Sequence, residues 1–326
     1  MNRTKLLLAA SSFVLGFGVV ALADVEVAPV PLEGVKIEVT SVPVELRSAD
    51  PSDKRIGKLI YRGGVSVVPA DDRYGGISGF RVSADGSRFV AISDVGNWTT
   101  GALQYDARGD LAGVGDVAVS PLLDAAGASL HGKEDGDAES VTFRDPADLA
   151  SDAFVGFERN HRVLRYDFAH DGVKARGVPV PMPDAIKGLR NNSGLEVLAT
   201  LADGRLVAIA EEGPKGDDDD SPGWVVNPDT GETVSFTMKR VLPYSLTDAT
   251  LLPDGRILVL ERRFAPTTGP GAELRVYDPA TFTEGATVEG ELVAVLFAGV
   301  TVDNMEGLSA LKTDDGKTLI YVVSDD

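Results

Sequence analysis

The sequence predicts an all-β protein, a single β-propeller of five or six four-stranded blades. Three observations favour this fold class. Glycine (36 residues) and proline (18 residues) are frequent and follow no Gly-X-Y period, which indicates many turns rather than low complexity. A hairpin unit recurs along the chain, and further extended runs follow its copies. Long helices have no support in the hydrophobic pattern.

The recurring unit reads as a strand, an Asp-Gly turn, a second strand and an acidic residue. Its Asp-Gly pairs begin at Asp85, Asp203, Asp254 and Asp315. A degenerate copy, in which a longer turn replaces Asp-Gly, runs from Glu139 to Glu158. A second pair of extended runs follows, as at 163–167 and 274–278, so each unit can supply the four strands of a propeller blade.

The N-terminus has the features of an export signal. Arg3 and Lys5 precede an uncharged apolar stretch at 6–20, and a small-x-small cleavage site follows at 21–23. We therefore predict a cleavable signal peptide over residues 1–23. An uncleaved N-terminal membrane anchor is the alternative.

The rest of the chain is expected to form one unit. Residues 24–63 would supply N-terminal strands that complete the propeller, and residues 64–326 would form the propeller domain. The chain has no cysteine, which excludes disulfides, zinc–thiolate sites and a lipoprotein anchor. We expect a monomer that is periplasmic or secreted and has no membrane contact after signal cleavage.

The charge balance restricts the partners. Asp and Glu (50 residues) outnumber Lys and Arg (31 residues), and the net charge of −19 disfavours nucleic acid and favours cations, above all Ca²⁺. The sequence contains no Walker loop, Rossmann fingerprint, His-Glu-x-x-His motif or EF-hand, so no nucleotide cofactor is expected. Gly-x-Ser-x-Gly, the motif of a nucleophilic serine, is also absent.

The repeat predicts where a metal would bind. The inner strand of each blade lines the channel of a propeller, so an acid at one register of each repeat forms a ring of carboxylates. An antiparallel hairpin brings its start and its end to the same mouth, so the acids at both ends converge. Oxygen-only ligands favour Ca²⁺, with Mg²⁺ as the alternative. The predicted metal ligands are Glu139, Glu196, Asp248, Glu261, Glu306 and Asp325. Turn capping or pairing with arginine is the alternative for each of them.

Catalytic and substrate-binding residues are expected at the same mouth. Glu158 and Glu211 end the second strands of their hairpins, and His161 lies nearby, so we predict catalytic roles for these three. The predicted substrate-binding residues are Arg159, Arg262 and Arg263. Guanidinium groups at this place would recognise a phosphate or carboxylate. Ion pairing between blades is the alternative for the arginines, and a loop position without a catalytic role is the alternative for His161.

Six segments of the chain carry a family pattern. They are Asp137-Ala138-Glu139, 158–166, Gly194-Leu195-Glu196, 258–264, 303–308 and 323–326. Together they resemble the phytase-like domain family, described by an esterase-like activity of phytase and found in exported bacterial proteins. The resemblance covers the chain from about residue 64 and implies a propeller related to the calcium-dependent phytases. In that family a further strand follows the Ser-Asp-Asp segment, so the resemblance implies a truncated C-terminus or an absent closing strand here.

Two functions are compatible with these features. The first is an exported metal-dependent hydrolase that acts on a small anionic phosphoester, or on a carboxylic ester or lactone, at an acidic central channel. The alternative is a non-catalytic propeller that binds a ligand or protein and holds Ca²⁺ for structural reasons, because a fold alone does not establish an activity.

Overall fold

The computed structural model describes residues 33–213, 220–265 and 269–325, and the predicted signal peptide at 1–23 lies outside these residues. In chain order the strands are β1 (Val35–Lys36), β2 (Val39–Pro43), β3 (Arg55–Ile56), β4 (Leu59–Ile60), β5 (Val65–Pro69), β6 (Ile77–Val82), β7 (Arg88–Ser93), β8 (Asn97–Tyr105), β9 (Leu111–Pro121), β10 (Ala138–Phe143), β11 (Ala153–Phe157), β12 (Arg162–Tyr166), β13 (Val178–Pro179), β14 (Val197–Thr200), β15 (Leu206–Ile209), β16 (Ser221–Val226), β17 (Thr233–Met238), β18 (Ser245–Leu251), β19 (Ile257–Ala265), β20 (Gly269–Tyr277), β21 (Thr287–Val288), β22 (Glu291–Leu296), β23 (Met305–Lys312) and β24 (Thr318–Ser324). The helices are α1 (Gly132–Asp135), α2 (Phe168–Asp171) and three 3₁₀ turns, Gly172–Lys174, Asp184–Gly188 and Pro279–Thr281. Within the described ranges, no helix is both long enough and apolar enough to cross a membrane.

Four sheets of four or five strands form the blades. Their strand orders are β1-β9-β8-β7-β6, β10-β11-β12-β13, β14-β15-β16-β17-β21 and β18-β19-β20-β22, and we number the blades one to four in this order. Only the β17–β21 pair is parallel among these named strands. The prediction of an all-β propeller is confirmed. The prediction of five or six blades is wrong, because the described residues form four.

The last repeat forms a two-stranded hairpin, β23–β24, instead of a blade. Strand β23 contacts β18 on one side and β6 on the other, so the hairpin closes the ring of inner strands β6, β10, β14, β18 and β23. The N-terminal segment covers apolar surface here: Leu46 and Ile56 share a core cluster with Leu308. The Thr301 N–H donates to the Leu46 carbonyl at 2.8 Å. The hairpin is therefore covered by an N-terminal segment with its own short β3–β4 pair, and not by two further strands of its own sheet.

The blades pack face to face through their central strands. Strands β11 and β15 are buried at every residue, which explains why they read as continuous apolar runs and not as alternating ones. Trp98 of the first blade meets Tyr166 of the second in an edge contact, with ring centroids 5.3 Å apart. Burying a large apolar side chain contributes roughly 1.5–3 kcal/mol, so these interfaces stabilise the ring.

Arg81 of β6 joins the inner strands at the centre of the ring. Its side chain is 4% exposed and donates to both carboxylate oxygens of Asp248, at 2.7 and 2.9 Å. The guanidinium also donates to the carbonyl oxygens of Phe80, Leu198, Ala249 and Leu308. These bonds link β6 to β14, β18 and β23, so the ring contains a buried and fully paired charge.

Candidate active site

Each inner hairpin begins with the same irregularity. The pairing register shifts by one residue at the start of β6, β10, β18 and β23, so one residue of each inner strand bulges out of the ladder. Glu196 has the equivalent position before β14, because the Glu211 N–H bonds to the Gly194 carbonyl in the same way as the Glu158 N–H bonds to that of Asp137. We call these five residues the bulge ring; they are Ser78, Glu139, Glu196, Thr247 and Glu306.

A second ring lies where the neighbouring strand of each hairpin ends. The backbone N–H groups of its members donate to the residue that precedes the inner strand, as Asp94 does to Gly76 at 3.0 Å and Asp325 to Asn304 at 3.2 Å. In the fourth blade Arg262 pairs with Ser245 at this register. We call these residues the strand-end ring; they are Asp94, Glu158, Glu211, Arg262 and Asp325.

The two rings enclose a cavity of about 260 Å³ at one mouth of the channel. The lining residues are Gly76, Ile77, Ser78, Asp94, Glu139, Glu158, Asn192, Glu196, Glu211, Arg262, Asn304, Glu306 and Asp325. Seven of these side chains are carboxylates and one is a guanidinium, so the cavity is strongly acidic. Gly76 has φ +60°, and a Cβ there would lie 2.3 Å from Asp94 Oδ1, so glycine is needed for the Asp94 carboxylate to approach.

Burial and mutual repulsion raise the pKa values of the glutamates in this cluster. Burial raises the pKa of Glu139 well above its usual value, and the charges of Asp137 and Glu158 raise it further. Burial also raises the pKa of Glu196 strongly, followed by the charges of Glu139 and Glu211. For Glu211 burial is again the main cause and brings the pKa to about 7. A cation that neutralised these carboxylates would therefore relieve an unfavourable arrangement.

One part of the cavity wall has the spacing of a metal centre. A carboxylate oxygen from each of Asp137, Glu139 and Glu158 lies within 4.8 Å of the others, and this buried acidic cluster could bind a metal ion. Asp137 is already paired, because it accepts from Lys133 Nζ at 2.8 Å and from Arg159 Nε at 2.9 Å. The glutamates thus remain as the available ligands.

Two predicted metal ligands of the fourth blade lie away from the cavity, each displaced by one residue. Asp248 follows the bulged Thr247, is fully buried and pairs with Arg81. Glu261 precedes Arg262 and faces β20, where Glu273 lies beside it. A shift of one residue turns a strand side chain to the opposite face, which explains both positions. Burial, and then the charge of Glu273, raises the pKa of Glu261 to about 8.

The other predicted metal ligands and acids line the cavity, but three further predicted residues do not. His161 is 8% exposed and lies against Gly194, where a Cβ would come within 2.7 Å of its Nδ1. Burial lowers the pKa of this histidine, which favours the neutral ring. Arg159 pairs with Asp137, and the Arg263 guanidinium lies 4.0 Å from the centroid of the Phe297 ring.

Arg262 is the predicted arginine that reaches the cavity. Its Nη1 donates to Asn304 Oδ1 at 2.9 Å, and its Nε lies 3.0 Å from Glu306 Oε1. The sequence did indicate that Arg262 belongs to the strand-end ring. Arg262 follows the turn residue Asp254 at the same spacing at which Glu211 follows the turn residue Asp203.

Sequence reasoning missed several residues of the site. Asn192 and Asn304 line the cavity, and Lys133 pairs with Asp137 at its edge. Asn304 Nδ2 donates to Glu306 Oε1 at 2.9 Å and to Asp325 Oδ2 at 2.8 Å. Asn304 lies in the segment 303–308, which is one of the six segments that carry the family pattern. No motif or repeat in the sequence marks Lys133.

Fold and cavity together define a β-propeller with an acidic channel mouth. A family model described as Phytase-like, esterase-like activity of phytase, matches residues 72–326, so the chain belongs to the Phytase-like family. This confirms the resemblance found in the sequence. A search of curated proteins finds no match.

Solved structures with a similar chain path share little sequence with this protein. The β-propeller domain of Cps50 (Swd1) from Myceliophteria thermophila is 10% identical, with a TM-score of 0.41, over 88% of this chain and 99% of that one. The Pan2 WD40 domain from Neurospora crassa is 12% identical, with a TM-score of 0.38, over 79% of this chain and 76% of that one. A protein of unknown function from Bacteroides caccae is 13% identical, with a TM-score of 0.33, over 74% of this chain and 64% of that one. Similarities of this size carry no argument about function.

Proposed function

We propose that this protein is a metal-dependent hydrolase of small anionic esters, which acts on phosphoesters or carboxylic esters at the channel mouth. One observation carries the proposal. Glu139, Glu158, Glu196 and Glu211 face one cavity, and none of them has an ion-pair partner among the described residues. The guanidinium of Arg262 lines the same cavity, so the site combines a place for a cation with a place for an anion.

The donor set supports Ca²⁺ as the metal. The cavity lining contains carboxylate, amide and hydroxyl oxygens and neither histidine nor cysteine, which suits hard cations. Glutamates from different blades favour the larger and more flexible coordination shell of Ca²⁺ over the strict octahedron of Mg²⁺. Glu139, Glu158 and Glu196 would hold the ion. When bound, it would supply Lewis acidity toward the ester oxygen and lower the pKa of a water.

Glu211 would move the proton during hydrolysis. Its pKa of about 7 allows it to accept a proton from water and to return it near neutral pH. The water oxygen forms a bond to phosphorus or to the acyl carbon, and the bond from that atom to the leaving oxygen breaks. The proton taken up by Glu211 then passes to the leaving alkoxide, so protons and charge balance over the cycle.

Arg262 would orient the substrate anion. Its Nη1 and Nε face Asn304 and Glu306, and Nη2 has no hydrogen-bond partner in the part of the chain that the structure describes. The remaining donors can receive a phosphate or carboxylate oxygen in a charge-assisted bond. Glu158 accepts the Gly194 N–H at 2.6 Å, which holds its carboxylate in place at the cavity wall.

The experiment that tests this function compares hydrolysis of p-nitrophenyl phosphate, phytate and p-nitrophenyl acetate in Ca²⁺ and in EDTA. We expect EDTA to abolish hydrolysis and Ca²⁺ to restore it. Ca²⁺ should also raise the melting temperature, since a ligand bound only by the folded state adds about 2.7 kcal/mol at a hundredfold excess over its Kd. Glu196→Gln should weaken this effect, whereas Glu232→Gln at an exposed turn is the matched control.

Two results would contradict the proposal in different ways. No melting shift and no hydrolysis would refute a metal-dependent enzyme. A melting shift without hydrolysis of any ester would favour the non-catalytic propeller with structural Ca²⁺.

We also propose export to the periplasm or the medium as a monomer. The basic and apolar pattern of residues 1–23 supports this location. Cell fractionation and N-terminal sequencing of the purified protein would test it: a protein that retains Met1 in the membrane fraction would contradict cleavage. Size-exclusion chromatography would test the monomer.

A further inference from the structure

A one-turn helix lies over the boundary between the first two blades. Helix α1 follows β9 of the first blade and precedes β10 of the second. On the side of the first blade, the Leu130 N–H bonds to the Leu122 carbonyl, and the Leu122 N–H bonds to that of Gly96. On the side of the second blade, Arg162 Nη2 donates to the Asp135 carbonyl at 2.6 Å. Contacts to both blades therefore fix the position of α1.

Lys133 of this helix inserts its ammonium between two carboxylates of the mouth. Its Nζ lies 2.6 Å from Asp94 Oδ2 and 2.8 Å from Asp137 Oδ1. Asp94 belongs to the strand-end ring of the first blade, and Asp137 is 2% exposed beside Glu139 in the second. One lysine thus bridges two acids from adjacent blades, and Arg159 pairs with the other oxygen of Asp137.

The next boundary also brings acids of adjacent blades together, at a different register and without such a cation. Glu158 and Glu196 come from the second and third blades, and neither has an ion-pair partner in the described ranges. At the first boundary an ammonium therefore bridges the carboxylates of Asp94 and Asp137. At the second boundary no side-chain cation of the described ranges pairs with Glu158 or Glu196. The ammonium is a point charge that bridges the two carboxylates at the distances of charge-assisted hydrogen bonds.

We propose that Lys133 is a built-in cation that takes the place of an additional divalent ion between Asp94 and Asp137. It confines metal binding to the boundary of the second and third blades and so sets the number of ions at the mouth. This inference rests on the proposed function for the existence of the neighbouring ion, but not for the pairing of Lys133 itself. It makes Lys133 a residue that determines metal stoichiometry without touching the substrate.

Calorimetric titration of the purified protein with CaCl₂ tests the inference. Lys133→Met should bind one more Ca²⁺ per chain than the unaltered protein, because the Asp94 carboxylate and Asp137 Oδ1 lose their shared cation, while Arg159 keeps only Asp137 Oδ2. Lys133→Arg keeps the charge and should bind the original number. Lys187→Met is the matched control, since it removes an exposed lysine that pairs with Asp184 outside the mouth.

A double variant guards against effects on folding. Adding Asp94→Asn to Lys133→Met removes a ligand of the new site and should return the titration to the original stoichiometry. A folded Lys133→Met protein, judged by its melting transition, that binds no additional Ca²⁺ would overturn the inference. Failure of the unaltered protein to bind any Ca²⁺ would instead refute the proposed function, and a gain of one ion in Lys133→Met would still support the role of Lys133.

Discussion

Glu261 offers a sharp test of the register in the fourth blade. Its side chain is 2% exposed and lies beside Glu273, and the Tyr277 hydroxyl donates to it at 3.4 Å. Burial, with the charge of Glu273 second, raises the pKa of Glu261 to about 8 from an ordinary value of 4.5. A carboxyl whose pKa is raised by folding contributes its stability below the unfolded pKa. That contribution is lost as the pH rises toward the folded pKa.

The size of this effect follows from the two pKa values. Between pH 5 and pH 7 the folded state keeps the proton on Glu261 and the unfolded state releases it. Linkage then predicts that the free energy of unfolding falls by about 2–3 kcal/mol over this interval from Glu261 alone. Glu261→Gln keeps the size and the hydrogen-bonding capacity of the side chain but cannot ionise. Between pH 5 and pH 7 the unfolding free energy of this variant should therefore fall by that amount less than the unfolding free energy of the unaltered protein.

The assay is urea unfolding at pH 5, 6 and 7, with the metal-free protein and again in millimolar Ca²⁺. The difference between the unaltered protein and Glu261→Gln should widen with pH in the same way under both conditions, because Glu261 lies outside the cavity. Parallel curves of unfolding free energy against pH for the two proteins would refute the claim that burial raises the pKa of Glu261. A loss of Ca²⁺ affinity in Glu261→Gln would instead restore the sequence-based prediction that this residue is a metal ligand.

Three further predictions concern the cavity and the centre of the ring. Glu139→Gln and Glu196→Gln should depart from additivity in Ca²⁺ affinity by more than about 0.5 kcal/mol in a double-mutant cycle, because both would ligate the same ion, while additive and unaltered affinities would make both residues packing elements. Arg262→Ala should lower kcat/KM for p-nitrophenyl phosphate by a factor that corresponds to about 1.5–3 kcal/mol of transition-state stabilisation. The kcat/KM for p-nitrophenyl acetate should not change, and equal losses on both esters would contradict anion binding by Arg262. Arg81→Leu should lower the free energy of unfolding in urea by about 3–5 kcal/mol because Asp248 loses its buried partner. Adding Asp248→Leu should recover part of this loss, and a cost below about 1 kcal/mol for Arg81→Leu would contradict the importance of the pair.

Much of the ring could be predicted from the sequence because most of its repeats have the same Asp-Gly turn between two apolar runs. Each Asp-Gly turn marks a hairpin, and the apolar runs beside it have the composition of strands buried on both faces. The acids Glu139, Glu196 and Glu306 stand near the start of these runs and do line one cavity. A repeated local pattern is sufficient here, because equivalent strands of a propeller face the same axis.

The blade count depended on which segments pair, and this is a non-local property. The hairpin β23–β24 has the sequence of a blade's inner half, yet its apolar surface is covered by residues 44–62, whose short strands β3 and β4 pair with each other and not with its sheet. Pairing between segments far apart in the chain leaves no short-range pattern in the amino-acid sequence. The repeat therefore indicated the unit but not the number of complete sheets.

The amino-acid sequence alone was enough to predict the strand-and-turn repeat, the excess of acids and their convergence at one end of the hairpins. Which side chains face the cavity depends on the folded ring, because a one-residue bulge at the start of an inner strand changes the face of every residue before it. In the fourth blade the alternation of side chains along β19 places Arg262 at the cavity and Glu261 on the opposite face. The contacts of Lys133 with Asp94 and Asp137 also depend on the folded ring. Lys133 lies outside the repeats, and a contact between two blades and the loop above them exists only when the ring is closed.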